Sequence, residues 1–134
     1  ASSMITDIPG SSEYLLGSVV TYSNMAKQKL VNVSAENLEK YGAVSEQVAC
    51  EMAAGVKDLF GTTYGVGITG IAGPGGATEE KPVGLVYMAV ADGNDVRCVK
   101  HLFGGTRTEN KLRSALAAIS MVIDKIKDGR NEEI

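Results

Sequence analysis

The chain has 134 residues, 44% of them hydrophobic and 22% charged, a length and balance suited to a single globular domain with its own core. A formal charge of -3 and a pI near 5.1 provide no basic field for neutralising nucleic-acid phosphates or holding an anionic membrane, so neither is an expected partner. No apolar run approaches the roughly 20 residues that span a bilayer and no charged-then-apolar leader is visible at the start, so a cytoplasmic location is expected.

Residues Ala1 to Ile5 read as the end of a helix, followed by a loop in which Pro9-Gly10 and Ser11-Ser12 supply turn chemistry. Tyr14 to Tyr22 is short, β-branched and aromatic, which predicts a buried strand. Ser23 or Asn24 then caps a helix over Met25 to Val31, Ser34 caps a short helix through Lys40, and Ser45 caps a longer one through Phe60. Val48, Met52, Val56 and Leu59 share one face of that longer helix, and Gly61 closes it. Thr63 to Ile71 predicts a second strand, running into a glycine-rich loop, Ala72 to Ala77, that excludes regular structure. Val83 to Ala91 and Asp95 to Phe103 predict two further strands joined through Asp92-Gly93-Asn94 as an antiparallel hairpin. Thr106 to Glu109 has the form of a capping box and opens a last helix with Leu112, Leu116, Ile119, Ile123 and Ile126 in its apolar stripe, before a frayed polar tail from Asp128. The order β-α-α-α-β-β-β-α predicts an α/β fold: a mixed, mostly parallel sheet with helices on both faces.

Polar chemistry concentrates in Tyr22 to Lys27 and Thr69 to Gly76, each following a predicted strand. If those strands are parallel, both segments lie at the carboxyl edge of the sheet, where loops and helix N-termini bind ligands. Ser23 and Lys27 stand one helical turn apart with Tyr22 and Asn24 beside them. A lysine shielded from water has a lowered pKa and can take a proton from a hydroxyl nucleophile. The same hexapeptide is equally an ordinary cap followed by a solvated lysine. The glycines from Gly70 through Gly73 to Gly76 let backbone approach a phosphate or ribose closely, although the spacing is neither that of a P-loop nor that of a dinucleotide fingerprint, and a plain surface loop would share this composition. Arg107 opens the last helix, where an acid would serve the helix dipole better; with the free amides there it forms half of an anion site, or it is a surface arginine. His101 is the only histidine, so a histidine-based triad is not expected. Cys50 and Cys98 have no Cys or His at metal-ligand spacing and are expected as buried free thiols; no metal site is expected.

Thr6 to Ser12, Gly17 to Asn24 with Lys27, Tyr41 to Ser45, Thr69 to Gly76 and Lys81-Pro82-Val83-Gly84 together resemble the C-terminal domain of the competence/damage-inducible protein A (CinA) family, in order from Ala1 to about Ile126. The resemblance implies a three-layer α/β/α sandwich, no metal or organic cofactor, and hydrolysis of nicotinamide mononucleotide (NMN) to nicotinate mononucleotide and ammonia in pyridine nucleotide salvage; a sheet edge left unpaired by the absent first strand makes homo-oligomerisation the expectation. On it, Tyr22 and Lys27 assist the nucleophile, while Ser23, Asn24, Thr69, Gly70, Gly73 and Arg107 hold the substrate. The family's nucleophilic serine lies in a Glu-Ser-Cys-Thr-Gly-Gly segment ahead of the helix that ends at Ile5, and the sequence begins after it. The chain is therefore expected to be one domain lacking the family's first strand and nucleophile, and inactive as it stands, since removing a nucleophile costs on the order of 10⁶ in rate. A catalytically inactive mononucleotide-binding or regulatory module and an oligomerisation appendage are the alternatives.

Overall fold

A computed structural model describes residues 1–132 and gives the order α1 (Ser2–Thr6), a 3₁₀ turn (Ser11–Glu13), α2 (Asn24–Val31), α3 (Ala35–Tyr41), α4 (Glu46–Phe60), β1 (Gly65–Gly70), β2 (Leu85–Ala91), β3 (Val96–Leu102) and α5 (Arg107–Glu132). Local chemistry sets the helix boundaries. Ser23, Ser34 and Ser45 each accept a hydrogen bond from a first-turn amide, those of Ala26, Asn37 and Val48. Asn32 and Gly61 end α2 and α4 in the left-handed conformation that releases the chain from a helix. Thr106 and Glu109 exchange the two bonds of a capping box at the start of α5.

The three strands form one sheet in the order β1-β2-β3, and every pair is antiparallel. Asp92 closes the β2–β3 hairpin, its Oδ1 accepting from the amides of Asn94 at 2.8 Å and Asp95 at 2.7 Å. Those bonds hold its carboxyl below the usual range, and Lys125 on α5 pairs with Oδ2 at 3.2 Å.

The sheet has two chemically different faces. On one, Gly65 and Gly67 of β1 and Ala89 and Ala91 of β2 meet Ala49 and Ala53 of α4. A Cβ on Gly67 would lie 2.5 Å from the Ala49 carbonyl oxygen, so the glycines let helix and sheet approach backbone to backbone. The opposite face presents Val66, Ile68, Val86, Met88 and Val99 to Ala118 and Met121 of α5. Helices on both faces give the three-layer α/β/α arrangement that the sequence leads one to expect. The outer side of α4 carries a further core, Val31, Val33, Leu38 and Val48, with Val19, Met52 and Val56 packed against it.

Four expectations are corrected. The sheet is antiparallel where a mostly parallel one is expected, because that expectation requires Tyr14 to Tyr22 to be a strand alongside β1. This segment joins no ladder among the described residues: its burial alternates like that of an extended chain, with Val19 and Thr21 inward and Val20 and Tyr22 outward. β-branched composition selects an extended backbone, but a strand also needs a neighbour to receive its hydrogen bonds. In α5 the expected apolar stripe is displaced: Leu112, Leu116 and Ile123 are exposed, whereas Asn110, Ser114, Ala115 and Ala118 are buried. The bulky sheet face takes small residues from the helix, which lets the helix seat closely. Likewise Leu59, expected on the buried face of α4, is exposed at the helix end. Finally, the helix continues through Glu132 past the expected fraying point at Asp128, since Gly129 weakens a helix without breaking it; the end of the expected tail lies outside the described residues.

Candidate functional site

Arg107 joins the two segments that the sequence marks. Its Nη1 donates to the Gly73 carbonyl oxygen at 3.0 Å and its Nη2 to Tyr22 Oη at 3.2 Å. The glycine-rich loop, the turn before α2 and the start of α5 thus meet at one guanidinium, without the parallel strands on which their convergence was expected to depend. Arg107 is exposed and retains donors for an incoming anion. An open cleft of about 430 Å³ lies against it, between Ala72-Gly73-Pro74 and Gly105-Thr106-Arg107, with Val83 also in its lining.

Gly73 has a φ of +90°, and a Cβ there would lie 2.5 Å from Val83 Cγ1, so both conformation and space demand glycine. Gly70 closes β1, where a Cβ would press on Val86 and the Leu85 carbonyl. Thr69 is buried, its hydroxyl donating to the Ala43 carbonyl oxygen at 2.8 Å, which ties the end of β1 to the loop before α4. Its hydroxyl proton is therefore committed to holding the loop.

Lys27 is 7% exposed, and its amine donates to the Thr21 carbonyl oxygen at 2.6 Å. Desolvation by burial lowers its pKa, as expected for a shielded lysine, so it is not the solvated lysine of the plainer reading. Ser23 serves as the helix cap, accepting from the Ala26 amide at 3.1 Å. Asn24 opens α2 and is exposed. Tyr22 is 82% exposed and its recorded hydrogen bond is the one to Arg107; it makes none to Lys27. The site thus divides into an exposed part, Tyr22, Arg107 and Gly73, and a buried amine under the Thr21 carbonyl.

One residue of the site has no signal in the sequence beyond being polar near the start of a helix. Asn110 is 1% exposed and binds both loops that flank the cleft.

Elsewhere, His101 stacks on Phe103 with ring centroids 5.1 Å apart. Cys50 on α4 and Cys98 on β3 are free, partly buried thiols facing the same alanine cluster. Burial raises both, Cys98 to about 12, where a thiol is a poor nucleophile near neutral pH. A second cleft of about 380 Å³ beside the hairpin includes Asp58, Asp92 and Asp95, an acid excess poorly suited to a phosphate. Among the described residues no helix is long and apolar enough to cross a membrane, and no three His, Cys, Asp or Glu side chains are grouped to hold a metal.

The CinA C-terminal domain family model matches residues 1–126. A CinA-like protein of Syntrophomonas wolfei is 48% identical over 126 residues, 94% of this chain and 30% of that protein. One from Nostoc is 53% identical over 105 residues, 78% of this chain and 25% of that protein. The chain thus spans under a third of the length of these curated relatives. Among solved structures, the competence/damage inducible protein CihA of Agrobacterium tumefaciens superposes with a TM-score of 0.85 at 39% identity, covering 92% of this chain and 76% of that one. A CinA superfamily protein of Escherichia coli also gives 0.85, at 29% identity over 91% of this chain and 71% of that one. With a family model covering nearly its whole length and relatives about half identical to it, this chain belongs to the CinA C-terminal domain family.

Proposed function

We propose that this chain forms the mononucleotide-holding part of an amidohydrolase site that converts nicotinamide mononucleotide and water to nicotinate mononucleotide and ammonia. The observation that carries the reading is the guanidinium of Arg107, fixed by Gly73 and Tyr22 at the mouth of an open cleft. A phosphate there would take the guanidinium's remaining donors, while glycine backbone gives the ribose close approach. Tyr22 offers an exposed ring against which a pyridine ring could stack.

Lys27 suits the proton transfers. A hydroxyl oxygen attacks the carboxamide carbon and its proton passes to the free amine of Lys27. The amine returns that proton to the amide nitrogen as the C–N bond breaks and ammonia leaves. Water then attacks the resulting ester in the same way, releasing the carboxylate and restoring the hydroxyl. A buried, desolvated lysine supports this role because a larger fraction of it is uncharged near neutral pH. On the family resemblance, the attacking hydroxyl belongs to the serine of a Glu-Ser-Cys-Thr-Gly-Gly segment.

Ammonia release from nicotinamide mononucleotide, measured on this chain as it stands and on the chain preceded by that segment, tests the reading. Turnover is expected from the chain preceded by that segment, and Lys27→Ala is expected to lower its rate by about 10²-fold or more. Turnover unchanged in Lys27→Ala contradicts the assignment of the base.

A second reading, a mononucleotide-binding module without turnover, is favoured by the hydrogen bond of the Lys27 amine to a carbonyl rather than to a hydroxyl. Binding with no ammonia release from the extended protein would select it. Self-association fits either reading, since Leu16 and Val20 stand exposed on an extended segment with no ladder partner among the described residues. Sedimentation of a monomer at micromolar concentration would contradict it.

A further inference from the structure

Among the described residues Asn110 is the most deeply buried polar one, at 1% exposure, and its side-chain bonds go to backbone outside its own helix. Nδ2 donates to the carbonyl oxygens of Ala72 and Gly105, each at 3.0 Å, and Oδ1 accepts from the Gly105 amide at 3.0 Å. Rotating the carboxamide by half a turn would set its donors against an N–H and its acceptor against two carbonyls, so the surroundings fix one orientation. Gly105 is shaped to this contact: a Cβ there would lie 3.2 Å from Asn110 Oδ1 and 2.9 Å from Glu109 Cβ.

The two loops bound by this carboxamide are the two walls of the cleft. Ala72 immediately precedes Gly73, whose carbonyl receives Arg107 Nη1, and Gly105 stands shortly before Arg107 itself. Ala72 to Asn110 and Gly73 to Arg107 are thus neighbouring links across one gap, the first made by a buried residue and the second by an exposed one. An apolar side chain of equal size would fill the same space but leave the Gly105 amide and the Ala72 carbonyl without this partner. We propose that Asn110 is a positioning residue: by holding Ala72 against Gly105 it sets the width of the cleft and the place of the Arg107 guanidinium, and so the preference for a phosphorylated over an unphosphorylated nucleoside. This rests on the mononucleotide reading given above.

The test uses this chain and compares Asn110→Leu, Asn110→Asp and Ser114→Ala. Ser114 is buried on the same helix face, its hydroxyl donating to the Asn110 backbone carbonyl at 2.7 Å, and it makes no recorded bond to either loop. Asn110→Asp keeps the acceptor for the Gly105 amide, removes the donors, and provides a second variant should Asn110→Leu fail to fold. Two quantities are read: the ratio of affinities for nicotinamide mononucleotide and nicotinamide riboside, and hydrogen exchange at backbone amides of residues 71–73 and 105–107. Both Asn110 variants are expected to lower the affinity ratio about tenfold, the effect of misplacing one charge-assisted contact. They should also speed exchange in the two loops, while Ser114→Ala loses stability and keeps the ratio. A folded Asn110 variant with an unchanged ratio overturns the proposal, as does an equal fall in Ser114→Ala. If the unaltered chain binds neither ligand, the mononucleotide reading fails, and exchange alone then decides the coupling: faster exchange in both loops supports it, and unchanged exchange overturns it.

Discussion

Lys27 carries a hydrogen-bonding amine into a place where its charge is poorly solvated, and the lowered pKa is the thermodynamic mark of that conflict. The sign of the consequence follows from linkage. Below its folded-state pKa the lysine is protonated in both states and the penalty for burying the charge is fully present. Between that value and the ordinary lysine value of 10.5, the folded chain binds fewer protons than the unfolded one, so stability gains as pH rises. Urea unfolding of the wild type and Lys27→Met across the alkaline range is therefore expected to give a stability difference that moves steadily in favour of the wild type up to about pH 10.5. A difference independent of pH would contradict the lowered pKa. At this scale part of the candidate site was legible. The cap at Ser23 and the need for glycine at Gly73 follow from local chemistry, whereas the burial of Lys27 does not, since the same hexapeptide fits a cap followed by a solvated lysine. The hydrogen bond of Arg107 to Tyr22 was not, because it joins residues far apart in sequence, nor was the bracing by Asn110, which a surface asparagine would match in sequence.

At the scale of elements, α4 organises the molecule through small residues. It lies on the glycine and alanine face of the sheet and, on another side, against α2. Gly55 marks the second contact: a Cβ there would lie 1.8 Å from the Val31 carbonyl oxygen at the end of α2. In an exposed helix interior, Gly→Ala stabilises by about 1 kcal/mol. Here the clash outweighs that gain, and Gly55→Ala is expected to destabilise the chain by about 2 kcal/mol or more in denaturant unfolding, with a neutral or stabilising result contradicting the packing. Element types and boundaries were largely legible, because capping serines, the Asp92-Gly93-Asn94 turn and the Thr106–Glu109 box are local signals. Pairing and facing were less so. Tyr14 to Tyr22 has a strand's composition without a ladder partner, and α5 turns Ala118 rather than Leu116 to the sheet, because the opposing surface, and not the helix alone, selects the buried face.

For the whole molecule, an antiparallel sheet lies between α4 and α5, with the cleft where the loop after β1 meets the start of α5. This arrangement places a cation, a glycine-lined backbone and a desolvated amine within one end of a small fold that is shared with CinA relatives of known structure. The family and the layered fold were legible because their motifs are strings of adjacent residues; the direction of the strands was not, because it depends on which segments pair. The central claim is that Arg107 makes this cleft a mononucleotide site. Calorimetric titration of the chain with nicotinamide mononucleotide, beside Arg107→Met, tests it most directly. Saturable binding that weakens at least about tenfold in the variant is predicted, matching the loss of charge-assisted bonds to a phosphate. Equal affinity in the two proteins, or no binding to either, would contradict it.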